Sequence, residues 1–111
     1  MLLAPKPRAT RALTLGMDMR VGINLDTGNF HGTDPYADLA KCAPWAVNVQ
    51  VKVEVKRAGA PAAEPADLNK VAAILREANY QGWVVLEYEA KPDPFTAVPE
   101  HLKSLKAAFT S

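Results

Sequence analysis

Polar side chains gather at the carboxyl ends of three apolar segments. Asn24 and Asp26 close the first, Gln50, Lys52 and Glu54 lie along the second, and Glu87 and Glu89 close the third. Within each segment these residues keep one parity, so an extended chain puts them on a common face. Two or three carboxylates, an amide and an ammonium aimed at one spot suit a hard divalent cation. Oxygen donors from Asp, Glu and Gln favour Mg2+ or Mn2+ over thiolate-binding metals. A single charged residue at a strand end is usually only solvated, but three segments in register make that the weaker reading.

The elements that must position these groups alternate strand with helix. Val21–Leu25 reads as a strand ending at Asp26 and a Thr-Gly-Asn turn. A helix follows over residues 34–42, with Asp34 as N-cap, Pro35 at the first helical position and Pro44 as the stop. Residues 47–55 carry valine at every odd position and a polar residue at every even one, the period of a half-buried strand. An Ala/Gly/Pro-rich stretch, residues 58–66, reads as a mobile loop over the mouth or as a plain linker. The next helix runs from Asp67 to about Asn79, with Leu68, Val71, Ala72, Leu75 and Ala78 on one face. The third strand is Trp83–Glu89. The last helix is predicted from Pro99, with Leu102, Leu105 and Phe109 inward and Lys103 and Lys106 near its C-terminal end.

This order predicts an α/β fold with parallel strands. If the valines of residues 47–55 pack on helices, Gln50, Lys52 and Glu54 point the other way. A doubly wound sheet would bury those charges under helices, whereas the polar mouth of a (β/α)8 barrel accepts them. The barrel reading is preferred, with the carboxyl ends of the strands as its active-site face.

Composition narrows the function. The chain has 111 residues, 49% apolar and 23% charged, with 6 Gly and 9 Pro, which fits a globular domain and excludes a disordered or collagen-like one. A net charge of +1 offers no field to steer it onto nucleic acid or anionic lipid. No apolar run approaches the ~20 residues of a membrane span. The lone Cys42 has no intramolecular disulfide partner, so a cytoplasmic, reducing compartment is expected.

Leu25-Asp26-Thr27-Gly28-Asn29-Phe30, Asp34-Pro35-Tyr36, Val49-Gln50-Val51-Lys52 and Tyr80-Gln81-Gly82-Trp83-Val84-Val85-Leu86-Glu87-Tyr88-Glu89 follow one another at a spacing that resembles the xylose isomerase-like TIM-barrel family. That family includes sugar-phosphate isomerases and epimerases, ketose 3-epimerases and inosose dehydratases. The resemblance covers about residues 20–109 and implies a parallel (βα)3 segment corresponding to strands six to eight of the barrel. Residues 1–19 then read as a leader or the remnant of a preceding helix, and 20–111 as the C-terminal part of the barrel. A barrel of about 250 residues gives each unit roughly 31, so the length fits about three and a half units.

The resemblance also implies roles. The family holds one divalent metal with four side chains, one from each of strands five to eight. Asp26 resembles the strand-six aspartate ligand and Glu87 the strand-eight glutamate. Gln50 stands where many members have histidine and would ligate through its amide oxygen. Asn29 falls where some epimerases use a substrate-binding histidine, and Lys52 matches the lysine after the strand-seven ligand. The strand-five glutamate, a ligand and one half of the acid/base pair, has no counterpart.

The expected chemistry is proton transfer beside a carbonyl through an enediolate, with Glu87 moving the proton and Lys52 stabilising oxyanion charge. Mn2+ or Mg2+ is the first choice of metal, with Zn2+ or Co2+ as alternatives, and the partner is a small sugar or sugar phosphate. His31, two residues past Asn29, is a candidate substrate contact; as a loop histidine it faces solvent more readily than it ligates metal.

Other residues read more plainly. Glu89 is either an orienting or a rim charge, Lys56 and Arg57 a solvated pair or a phosphate contact, and His101 exposed. Cys42 reads as a small buried hydrophobe, and Trp45 and Trp83 as packing at the barrel bottom. Two alternatives compete with the isomerase. An endonuclease-IV-like enzyme shares the fold but needs a histidine-rich zinc centre and a basic surface, which two histidines and +1 do not supply. A non-catalytic (βα)3 fragment or interaction module would self-associate through its parallel sheet edges.

Overall fold

Alternate valines need a helical layer to cover them, and three helices provide it. The computed structural model of the chain describes residues 21–110; the expected leader or helix remnant over residues 1–19 lies outside the described residues. In chain order come β1 (Ile23–Asp26), α1 (Pro35–Cys42), a 3₁₀ turn (Ala43–Trp45), β2 (Ala46–Val51), β3 (Glu54–Val55), β4 (Glu64–Pro65), α2 (Leu68–Glu77), β5 (Val84–Leu86) and α3 (Pro94–Thr110). The order in the main sheet is β1-β2-β5, all parallel, with Asp26 opposite Gln50 and Gln50 opposite Val85. This is the α/β arrangement of a partial TIM barrel. Among the described residues, no helix is long and apolar enough to cross a membrane.

The core lies between sheet and helices. Val49, Val51, Val53 and Val55 are buried on the helix side with Leu25, Leu39, Val71, Leu75 and Leu105. Asn48 and Gln50 of β2, together with Asn24, Asp26, Val85 and Glu87, line the opposite, polar face of the sheet, the face that a barrel turns inward, while Ala46 at the start of β2 is buried in the core.

The helix starts follow their caps. Asp34 Oδ1 accepts from the Ala37 N–H at 3.1 Å, with Pro35 at the first helical position. Asp67 Oδ1 accepts from the Lys70 N–H at 3.0 Å. α2 stops at Glu77, two residues short of the expected Asn79, because Asn79 takes a left-handed φ of 56°.

The structure departs from the sequence pattern at several points. The second strand breaks after Val51. Glu54–Val55 leaves the main sheet and pairs antiparallel with Glu64–Pro65, so the 58–66 stretch ends in a small hairpin, with the Ala66 N–H on Val53 O at 2.8 Å. The third strand is shorter than residues 83–89, although the Glu87 N–H still reaches Val51 O at 2.9 Å.

The last helix begins at Pro94, before Pro99. Asp93 starts it, its carbonyl accepting from the Ala97 N–H at 2.9 Å and its Oδ2 from Thr96 Oγ1 at 3.1 Å. Leu105 and Phe109 face the core as expected, joined by Ala108, and His101 is half-buried. Leu102 is 41% exposed, and the ring of His101, expected on the outside, lies 5.6 Å from that of Tyr88. Finally, Trp45 and Trp83 are 43% and 81% exposed rather than packed, because both precede the strands and sit outside the helix-covered layer.

Candidate active site

The β1–α1 turn is built to hold a lysine. Asp26 Oδ1 accepts from the Gly28 N–H at 2.9 Å, an Asx turn that leaves Oδ2 facing away from the turn. Thr27, 2% exposed, stitches this turn to β2. Its N–H donates to Gln50 O at 3.0 Å, and its Oγ1 accepts from the Lys52 N–H at 3.0 Å. That last bond takes the place of a sheet bond where β2 ends. The stem of Lys52 then lies directly on Gly28, where an added Cβ would come within 2.8 Å of Lys52 Cβ and Cδ. Glycine at 28 is therefore required by close approach.

The ammonium of Lys52 sits at the centre of the site. Its Nζ is 2.6 Å from Glu89 Oε1, 3.2 Å from Asp26 Oδ2 and 3.3 Å from Glu87 Oε1, and donates to Asn29 Oδ1 at 3.4 Å. Side-chain exposure is 18% for Lys52 and 12% for Asp26, against 63% for Glu89. The nearest carboxylate is thus the one at the rim.

The hydrogen bond to Glu89 raises the lysine pKa above its ordinary value; partial burial opposes the rise, and Asp26 and Glu87 add to it. Stability from these contacts is therefore fully present below the ordinary lysine pKa, and is lost only as pH rises through the higher folded value. The stability difference between wild type and Lys52→Met, measured by urea unfolding, is expected to stay flat from pH 7 to about 10. Above that it should shrink. A difference that fell away between pH 6 and 9 would contradict this assignment.

Gln50 is held one layer lower. Its Oε1 accepts from Asn24 Nδ2 at 3.0 Å, and Asn24 Oδ1 accepts from Asn48 Nδ2 at 2.9 Å. His31 is exposed and lines, with Asn29, Lys52, Glu54, Lys56 and Glu89, a cavity of about 260 Å³ at the carboxyl end of β2. The structure thus brings Asp26, Asn29, Lys52, Glu87 and Glu89 together around one ammonium and puts His31 on the cavity that Asn29, Lys52 and Glu89 line, a cavity whose lining does not include Asp26 or Glu87. Gln50 stands below them, its amide oxygen engaged by Asn24. Arg57 pairs with Glu64 at 2.9 Å and stands over the Tyr36 ring, so it belongs to the hairpin rather than to a solvated Lys56–Arg57 pair.

Two features escape a reading by residue type. Thr27 is one, although a threonine directly after a strand-end aspartate is a signal for a turn bonded to its neighbour. The Asn48–Asn24–Gln50 chain is the other, and the shared parity of the three residues points to it.

Three carboxylates around one ammonium leave two formal negative charges. Hard oxygen donors with that excess fit a divalent ion in kind, since Mg2+ is commonly held by one or two carboxylates and completes its shell with water or substrate oxygens. Among the described residues, no three His, Cys, Asp or Glu side chains group to hold a metal unaided. Asp26 and Glu87 would need the Gln50 amide and non-protein oxygens beside them.

A family sequence model described as a xylose isomerase-like TIM barrel matches residues 11–108. Comparison with curated proteins gives no match.

Proposed function

The chain belongs to the xylose isomerase-like TIM-barrel family, and from that premise we propose that it carries part of a sugar isomerase or epimerase site, acting on a small sugar or sugar phosphate by proton transfer through an enediolate. The observation that carries this reading is the convergence of Asp26 and Glu87 on one Lys52 ammonium, at 3.2 and 3.3 Å, at the carboxyl end of the sheet.

Each residue has a task that its chemistry suits. Asn29 and His31, on the cavity, bind substrate hydroxyls. Lys52 remains protonated at neutral pH under the pull of its carboxylates, so it donates to the oxygen on which charge develops rather than acting as a base. Glu87 removes the proton from the carbon beside the carbonyl. Asp26 and Glu87, with the amide oxygen of Gln50, would hold Mn2+ or Mg2+, or less readily Zn2+ or Co2+. When bound, the ion supplies Lewis-acid polarisation of two neighbouring substrate oxygens.

Deuterium wash-in tests the reading without requiring full turnover. A single carboxylate suffices to exchange the proton beside a carbonyl with solvent, even where the second partner of an acid/base pair is not supplied by these residues. The protein is incubated in D2O with Mn2+ and, in turn, aldoses, ketoses and their phosphates, and the label is read by NMR. Incorporation at the carbon beside the carbonyl is expected for at least one sugar, above a protein-free control with the same metal. No incorporation across the panel would overturn the proposal.

A further inference from the structure

The two carboxylates that would meet a metal are already on an ammonium. Asp26 offers Oδ2 most readily, because its Oδ1 already accepts from the Gly28 N–H, and that Oδ2 lies 3.2 Å from Lys52 Nζ. Glu87 Oε1 is in the same position at 3.3 Å. Two cations do not share such oxygens at this range without strong repulsion, so one must yield. The lysine has somewhere to go. Its shortest contact, 2.6 Å, is to Glu89, the most exposed of the three carboxylates and the one at the rim of the cavity. The four-carbon stem of lysine permits the swing.

We infer that Lys52 is a tethered counter-cation, which occupies the carboxylates of Asp26 and Glu87 until a divalent ion displaces it and which Glu89 then retains at the rim. The charges agree with this arrangement. Three carboxylates, one ammonium and one divalent ion sum to zero, so both cations are accommodated once the lysine moves outward. The inference rests on the proposed metal site and adds to it a competitor and a holding residue. Lys52 and Glu89 are positioning residues toward the metal, acting through the oxygens that they occupy or release.

Mn2+ binding, measured by the loss of the free-ion electron paramagnetic resonance signal, tests it without any substrate. Lys52→Met, which keeps the length of the stem and removes the competitor, is expected to bind Mn2+ about tenfold tighter than wild type, within the usual range of coupling between linked sites. Glu89→Gln is expected to weaken binding severalfold when Lys52 is present. In the Lys52→Met background it should change nothing, since the holding residue then has nothing to hold. Mn2+ should also raise the melting temperature of Lys52→Met more than that of wild type.

Lys52→Gln provides the same comparison if the methionine variant does not fold. Equal or weaker affinity in the lysine variants, with wild-type binding still lost in Asp26→Asn, would overturn the inference and leave the metal site standing. An equal effect of Glu89→Gln in both backgrounds would make Glu89 a direct ligand and would also overturn it. Absence of Mn2+ binding in every variant would remove the metal site itself, and the inference with it.

Discussion

Glu87→Gln is expected to cut solvent-deuterium exchange into the substrate by about 10²- to 10⁴-fold, the usual contribution of a positioned general base. The substitution keeps shape and hydrogen-bonding reach but removes both the charge and the basicity. The backbone that holds Glu87 should survive it, because the Glu87 N–H donates to Val51 O at 2.9 Å independently of the side chain. The loss of one contact with Lys52, at 3.3 Å and on a side chain 33% exposed, should cost well under about 1 kcal/mol of stability. Activity and stability are therefore expected to separate. Glu100→Gln, on the exposed side of α3, serves as the control for a charge change of the same kind and should leave exchange unaltered. Exchange by Glu87→Gln within threefold of wild type would assign the proton transfer to another group, and parallel loss of exchange and melting temperature would make Glu87 structural.

How far such a site can be read from sequence depends on whether each piece is set locally. Val49 and Val51 of β2 announce their face by period alone, although Val47 ahead of them stays 49% exposed; Asp34 and Asp67 mark helix starts through bonds to residues three ahead, and Pro35 by its fixed φ at the first helical position. Asp26 and Glu87 are legible for the same reason, because strand-end position and parity are local properties. What period does not carry is pairing. The break after Val51 arises because the Lys52 N–H finds Thr27 Oγ1, 25 residues away in the chain.

The hairpin of Glu54–Val55 with Glu64–Pro65 depends equally on a partner strand of two residues, too short to stand out. In α3 the apolar pattern favours Leu102, yet Leu102 is 41% exposed and it is His101 that turns toward the ring of Tyr88. The centring of Lys52 on its carboxylates is the least legible feature of all. It requires the absence of a side chain at Gly28 and a β1–β2 register that shifts between Ile23 and Asn24.

Leu39→Ala is expected to lower the unfolding free energy by about 3 kcal/mol, in the middle of the range for large-to-small changes in a closed core. Leu39 is 1% exposed and packs in one cluster with Leu25, Val49, Val51, Val71 and Leu75, so the methyl groups removed leave a cavity that no surface side chain can fill. α1 has little else to hold it. Eight residues are too few for a stable isolated helix, and its other buried residues are Pro35 and Tyr36, the latter accepting from the Asp67 N–H at 2.8 Å, with Cys42 half-buried against the core. Against a typical domain stability of about 5–15 kcal/mol, the loss is large.

It should also reach the site, because the loop leading into α1 carries Asn29 and His31. Weaker substrate binding is expected in Leu39→Ala at temperatures well below its melting point, with the Lys52 contacts to Glu87 and Glu89 unaffected, since these residues follow β2 and β5 rather than β1. Leu102→Ala is the comparison. At 41% exposed it should cost less than about 1 kcal/mol, although the apolar pattern of α3 alone would rank it with the core. Urea unfolding with unchanged m-values measures both. Equal costs for the two leucines would show that the helical layer is not packed as described, and a cost below about 1 kcal/mol for Leu39 would place α1 outside the core.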